Sequence, residues 1–586
     1  MSQNQNAGHA PTLLTALSIS LLLVTACARQ PVHTEPTAPA GQSAVAPASV
    51  AVQEPAPAAP LDAGVMYHVL AGEYLGSQDD LAGAAEQYAQ AAAATDHVDI
   101  AARASRIAYA VEDYAALGQA AARWVELAPD SMDARKLLAL AQLHQGETAE
   151  VVSTLRWLLA HSDNQAEAWS SIATLLAAVG DVNKSEPVLS RLLASGGDQA
   201  DDIGLYGRSL LAYRLGRDQQ ARELAGQAAA RSDNIDVLRW AAQVAHADGD
   251  TAAALRYYET ALRYAPDDRD LNLAYAELLR RDGRLDEALE RLRGMPGESA
   301  VWYTAGAYAH AGGRQREALD FYRRLRRYDA DGDSEHFQFC GRLAEALELY
   351  EDAAACYRQV DSGEYYDEAR LRLGYVLAEN EATTAAADYF RDLQQDDDQE
   401  FVEQAYIAES EVWREAGQHD RALNRLSEGL MRLRGSVNLL YARALAAEDA
   451  GDLMLAEQDL RTIIQSDPGN STALNALGYT LANRTNRYAE ALSLIERALA
   501  MAPADPATLD SMGWVLFRMG QPEEALPYLQ QAFDRDQNAE IAAHLGEVLW
   551  QLQRFDEARE VWRQGSNIDA NDPVLQETLQ RFEVAL

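Results

Sequence analysis

The chain has 586 residues, 90 acidic against 50 basic side chains, and a formal charge of −40. That balance disfavours nucleic-acid partners, because phosphate binding needs a positive footprint. With three cysteines and eleven scattered histidines, no zinc-ligand spacing is present either.

In chain order, residues 1–26 contain no Asp, Glu, Lys or Arg, and Leu13 to Val24 is an apolar run too short to cross a bilayer. It ends in Val24-Thr25-Ala26-Cys27, and small residues before a cleavage point mark a secretory signal peptide. The Cys that follows them resembles a bacterial lipobox. The resemblance implies cleavage before Cys27 and acylation of its thiol; the other reading is an ordinary signal peptide that happens to contain Cys. Ala28, where enterobacterial lipoproteins retained at the inner membrane carry Asp, implies by the same resemblance an outer-membrane protein facing the periplasm. Residues 27–63 form the next segment, rich in Ala and Pro and without a side chain large enough to nucleate a core. It reads as a disordered tether with a reach on the order of 100 Å at about 3.1 Å per residue.

From residue 64 to residue 571 the chain repeats itself. A small residue returns at Val151, Ser185, Ala221, Ala254 and Ala288, and again from Ala318 to Ala558, at steps of 30 to 36 residues. The unit Pro506 to Asn538 shows why. Leu509, Met512, Gly513 and Leu516 make one helical stripe, and Ala525, Leu529 and Ala532 make a second. Gly520 between them can end the first helix in a left-handed conformation. Two such helices form a hairpin whose apolar face needs the next hairpin to cover it.

The pattern resembles the tetratricopeptide repeat. Trp169, Ile172, Ala173, Leu176 and Gly180 meet it in one unit, and Leu477, Gly478, Ala491, Ile495, Ala498 and Pro503 in another. The resemblance implies an all-α, right-handed superhelical solenoid of about fifteen hairpins, and a binding role rather than a catalytic one. Residues 572–586 read as a final amphipathic capping helix. Three departures stand out. The unit around Leu117 matches poorly, the unit anchored at Ala318 is short, and Pro187 and Pro527 suggest second helices that start late.

Candidate functional residues follow from this frame. No HExxH, GxSxG, GxxxxGK[ST] or GxGxxG motif occurs, so neither an enzyme, a cofactor, a metal nor a small-molecule substrate is expected. Cys340 and Cys356 fall on the two helices of one hairpin; a periplasmic disulfide is one reading, and a pair of buried free thiols is the preferred one. Arg314, Arg316, Arg323, Arg324, Arg326 and Arg327 fall mostly on one second helix. They read as a solvated face or as a docking patch for an acidic partner or cell-wall polymer. First helices line the concave surface in this repeat family. There the last units place Asn475, Tyr479, Asp510, Trp514, Phe517, Glu547 and Trp550, with Glu540 beside them, a groove suited to an extended peptide or a helix. Each ring could equally pack between repeats. No lysine occupies these positions, so the family's Lys/Asn carboxylate clamp is absent.

The stretch from Leu474 to Asp534 looks like that of large repeat lipoproteins of Gram-negative bacteria. One member type is the lipoprotein partner of a periplasmic carboxyl-terminal processing protease. That resemblance implies an adaptor presenting cell-wall hydrolases to the protease; the alternative is a scaffold subunit in envelope assembly or polysaccharide export.

Overall fold

A computed structural model describes residues 62–78, 80–180, 182–194, 202–328, 332–380 and 383–584. The expected signal peptide, Cys27 and all but the last two residues of the expected tether lie outside them. Among the described residues every regular element is a helix, from α1 (Ala63–Ser77) to α31 (Pro573–Arg581). Thirty of the 31 pair in sequence as fifteen hairpins, and α31 follows the last. The chain divides into two compact units, Met1–Ala318 and Leu319–Leu586, with the division inside α16 (Gln315–Arg327).

Local chemistry explains the hairpins. In the repeat picked out above, the Asp505 carboxylate caps α27 (Pro506–Arg518) by accepting from the Thr508 N–H at 2.8 Å, and Pro506 occupies the first turn, where it lacks no needed donor. Gly520 ends the helix region at φ +83°, as the spacing predicts. The second helix is α28 (Pro522–Arg535). A Cβ on Gly513 would stand 2.5 Å from Cγ of Leu529, so only glycine lets the helices approach this far. Gly546 does the same for the Trp562 indole, which is fully buried. In the first unit Gly207 admits Trp169.

Two expectations change, and two departures from the repeat take a definite form. Pro527 lies inside α28 and Pro187 inside α8 (Val182–Ala194), so neither helix starts late. Pro522 at the first turn of α28 and the buried Ala525 and Leu529 hold the helix through the missing donor. The shortening near Ala318 sits two helices before the one that carries it, in the nine-residue α14 (Leu285–Arg293). The poorly matched unit at Leu117 still forms a full helix, α4 (Tyr114–Leu127), because Leu117, Ala120, Ala121 and Trp124 keep the buried stripe. Finally, Cys340 on α17 (Ser334–Ala346) and Cys356 on α18 (Tyr350–Tyr357) form a disulfide across the hairpin, with Cα atoms 5.9 Å apart, rather than remaining free thiols.

Candidate partner-binding surfaces

Four first helices carry or flank the predicted groove: α23 (Val437–Asp449), α25 (Ser471–Arg484), α27 and α29 (Ala539–Gln551). All belong to the second unit. An open groove would leave one stripe of each helix exposed. Instead every residue from Thr508 to Leu516 and from Ile541 to Leu549 is buried. A helix buried on all sides has no solvent face left to offer.

The side chains that should line the groove are tied to one another. Tyr479 on α25 donates its hydroxyl to Glu540 on α29 at 2.6 Å, a link across 61 residues that reaches past the intervening α27. His544 Nδ1 lies 2.9 and 3.0 Å from the two carboxylate oxygens of Asp510. The His544 ring stacks on Trp514 at 4.1 Å, and Trp514 contacts Phe517 at 5.4 Å. Glu547 pairs with Arg581 on α31. On the far side, Thr480 donates to Glu448 of α23 at 3.0 Å.

The electrostatics follow from this packing. Burial presses His544 toward its neutral form, but the bonded Asp510 carboxylate, with Glu540 and Glu547 nearby, reverses the effect and lifts its pKa above the ordinary histidine value. Burial likewise lifts the Glu547 carboxyl, against the opposing pull of Arg581. Burial and Glu540 hold the Tyr479 phenol protonated.

The predicted groove therefore needs correction. Asp510, Trp514 and Glu547 are buried, and Asn475, Tyr479, Phe517 and Trp550 are half-buried. Trp550 packs against Phe555, Trp562 and Phe582, with ring centroids 4.8, 5.4 and 5.6 Å away, under the carboxyl-terminal end of the array. Tyr479, Asp510, Trp514, Phe517 and Glu547 come together, but as an internal seam between repeats around His544 and Glu540. His544 and the Tyr479–Glu540 bridge went unread. A usable signal existed: His544 follows Asp510 by one repeat length, so a base faces an acid on adjacent first helices.

The basic helix also changes meaning. Arg314 just precedes α16 and Arg316 lies in its first turn, both in the first unit, while Arg323, Arg324, Arg326 and Arg327 lie on α16 in the second unit. Arg314 pairs with Asp286 and with Glu317 at 3.5 Å, Arg324 with Asp320 at 3.4 Å, and Arg326 with Asp352 at 3.8 Å. Arg316, Arg323 and Arg327 are exposed.

A different surface is open. On α1, Met66, Tyr67, Leu70 and Tyr74 are 46, 66, 62 and 66 % exposed, while Val65 and Gly72 are buried. Their spacing of three and four places them on adjoining turns of one side of the helix. No described hairpin precedes α1 to cover them. Periodicity alone could have found this stripe, since an end hairpin lacks one neighbour.

Comparison with known proteins supports the repeat. Models of the tetratricopeptide repeat match residues 171–234, 245–311, 471–538 and 516–581. Among solved structures, the APC/C hetero-tetramer Cut9–Hcn1 is similar over 88 % of this chain and 96 % of its own at 15 % identity and a TM-score of 0.32. Yeast Tom70 is similar over 89 % of this chain and 95 % of its own at 13 % identity and a TM-score of 0.33. The TPR repeat-containing protein PA4667 of Pseudomonas aeruginosa is 31 % identical over 490 residues, 82 % of each chain. Identity of that extent makes this chain a member of the tetratricopeptide repeat family, whose arrays are scaffolds for binding other proteins.

Proposed function

We propose that the chain is a lipid-anchored, periplasmic protein-binding scaffold that brings a carboxyl-terminal processing protease together with cell-wall hydrolase substrates. The observation that carries the binding reading is the exposed stripe Met66, Tyr67, Leu70 and Tyr74 on α1. Large apolar side chains grouped on one exposed helix face favour docking of a partner, since burial against it gains about 25 cal/mol per Å². The sequence around Cys27 supports the anchor, and the likeness to lipoprotein partners of processing proteases supports the adaptor role. Such a scaffold acts by raising the effective concentration of the two proteins it holds.

Affinity capture from envelope extracts with the intact protein, followed by mass spectrometry, tests the adaptor role. Recovery of a processing protease is expected. Recovery of only polysaccharide synthase or pore subunits would replace this reading with a structural one in export. For the anchor, a Cys27→Ser form should leave the membrane fraction; retention there would contradict lipidation.

A further inference from the structure

We propose that the buried seam joining the first helices of the last repeats is a pH-sensitive latch, with the Asp510–His544 pair as the member that titrates. The proposal concerns the second unit alone and is independent of which partner the array binds. Three observations carry it.

First, the seam closes what the repeat geometry would leave open. The Tyr479–Glu540 bond skips over α27, so it can form only while the helices on either side stay close. The Glu547–Arg581 pair ties α29 to α31 in the same way.

Second, the closed state leaves polar atoms without partners. The Trp514 Nε1–H and the Asn475 Oδ1 are both buried and bonded to nothing. An unmet donor and an unmet acceptor are costs that opening would relieve, because water or a peptide group could then reach them.

Third, His544 is the titratable base at the centre, bonded to the Asp510 carboxylate. The side chains around it are Asp510 and Trp514 from α27, with the Arg518 cation of that helix 5.8 Å from the Trp514 ring and acting on Glu547, Tyr479 from α25, Glu540 and Glu547 from its own helix, and Arg581 from α31 with Asp572 just ahead of that helix. From α30 (Phe555–Ile568) the contact is Trp562, whose N–H donates to the Ala543 carbonyl at 3.3 Å; of the charged groups of that helix, Arg559 pairs with Asp556, Arg563 with Glu560, and Glu557 with Arg554 just ahead of it. On α28, Asp534 accepts from Gln530. Loss of the His544 proton leaves the buried Asp510 carboxylate facing Glu540 and Glu547 with no imidazolium between them.

The direction follows. His544 is raised in the fold, so the stabilisation is complete below the unfolded value of about 6.5 and is lost as pH rises through the folded value. The latch is shut in mildly acidic surroundings and loosens in alkaline ones.

Two measurements on the intact protein decide it. Histidine-selective NMR should show His544 titrating above about 6.5. Hydrogen exchange, corrected for intrinsic rates, should show protection in α25, α27 and α29 falling as pH rises through the His544 midpoint. His544→Gln, which keeps a donor but cannot charge, should flatten that response. A midpoint below about 6.5, or the same pH response in His544→Gln as in the wild type, would overturn the proposal. If His544→Gln fails to fold, Asp510→Asn serves instead: the His544 midpoint should drop, and an unmoved midpoint would overturn it.

Discussion

Glu409 offers the sharpest test of how neighbouring repeats are held together. It is fully buried on α21 (Gln399–Glu415) and accepts from four donors. Arg391 Nε lies at 3.1 Å, Arg425 Nε at 2.9 Å, Gln394 Nε2 at 2.8 Å and Trp413 Nε1 at 3.3 Å. Arg391 comes from α20 (Thr383–Leu393) and Arg425 from α22 (His419–Arg432), so one carboxylate joins three consecutive helices. Arg425 also donates to the Gln394 amide oxygen at 2.9 Å, which closes the network. Glu409→Leu removes every acceptor at once and leaves the Arg425 guanidinium, only 18 % exposed, with Glu428 as its remaining counter-charge. Leaving the buried donors around it without an acceptor costs about 1–3 kcal/mol, and the four hydrogen bonds are not added separately because they act as a unit. Out of a typical total of about 5–15 kcal/mol, such a loss would unfold these repeats before the rest of the array. Urea denaturation followed by circular dichroism should show a lowered midpoint, and hydrogen exchange should place the lost protection in α20 to α22. A cost below about 1 kcal/mol, the range of exposed pairs, would refute the claim that buried charge networks fasten these repeats.

Three further outcomes are expected. Gln553 sits at φ +62°, in the place where other repeats use glycine, so Gln553→Gly should raise stability by about 1 kcal/mol in thermal or urea melts. The Cys340–Cys356 bond spans 16 residues, so reduction, or replacement of both by Ala, should cost about 3 kcal/mol, and the intact mass should rise by two protons on reduction. Loss of water around its carboxyl, then the charges of Glu379 and Glu411, push Glu415 up to about 7. A carboxyl that holds its proton more tightly when folded makes stability fall as pH rises from the unfolded value of about 4.3 through 7. Melting of the protein carrying Glu415→Gln should lose that part of the pH dependence.

Much of the fold was legible because the repeat signal is local. Gly513 with Leu529, and Gly520 at the turn, are choices made within one hairpin, and the same small-residue position marks every unit. Helix starts near Pro187 and Pro527 were misread because an apolar stripe and the packed neighbour outweigh one missing donor. The groove was misread for a different reason. Whether Trp514 faces solvent depends on how closely residues two repeats apart approach, as the Tyr479–Glu540 bond shows, and no local pattern records that distance. The cysteine pair falls between these cases. The sequence places both residues on facing helices, and only the 5.9 Å between their Cα atoms decides that they bond.

The protein-binding claim itself rests on the α1 stripe. Tyr67→Ser, Leu70→Ser and Tyr74→Ser together alter exposed side chains, so circular dichroism and the melting temperature should stay unchanged. Partner capture from envelope extract should fall at least about tenfold, a loss of about 1.4 kcal/mol or more. Full capture by this folded triple variant would contradict the account.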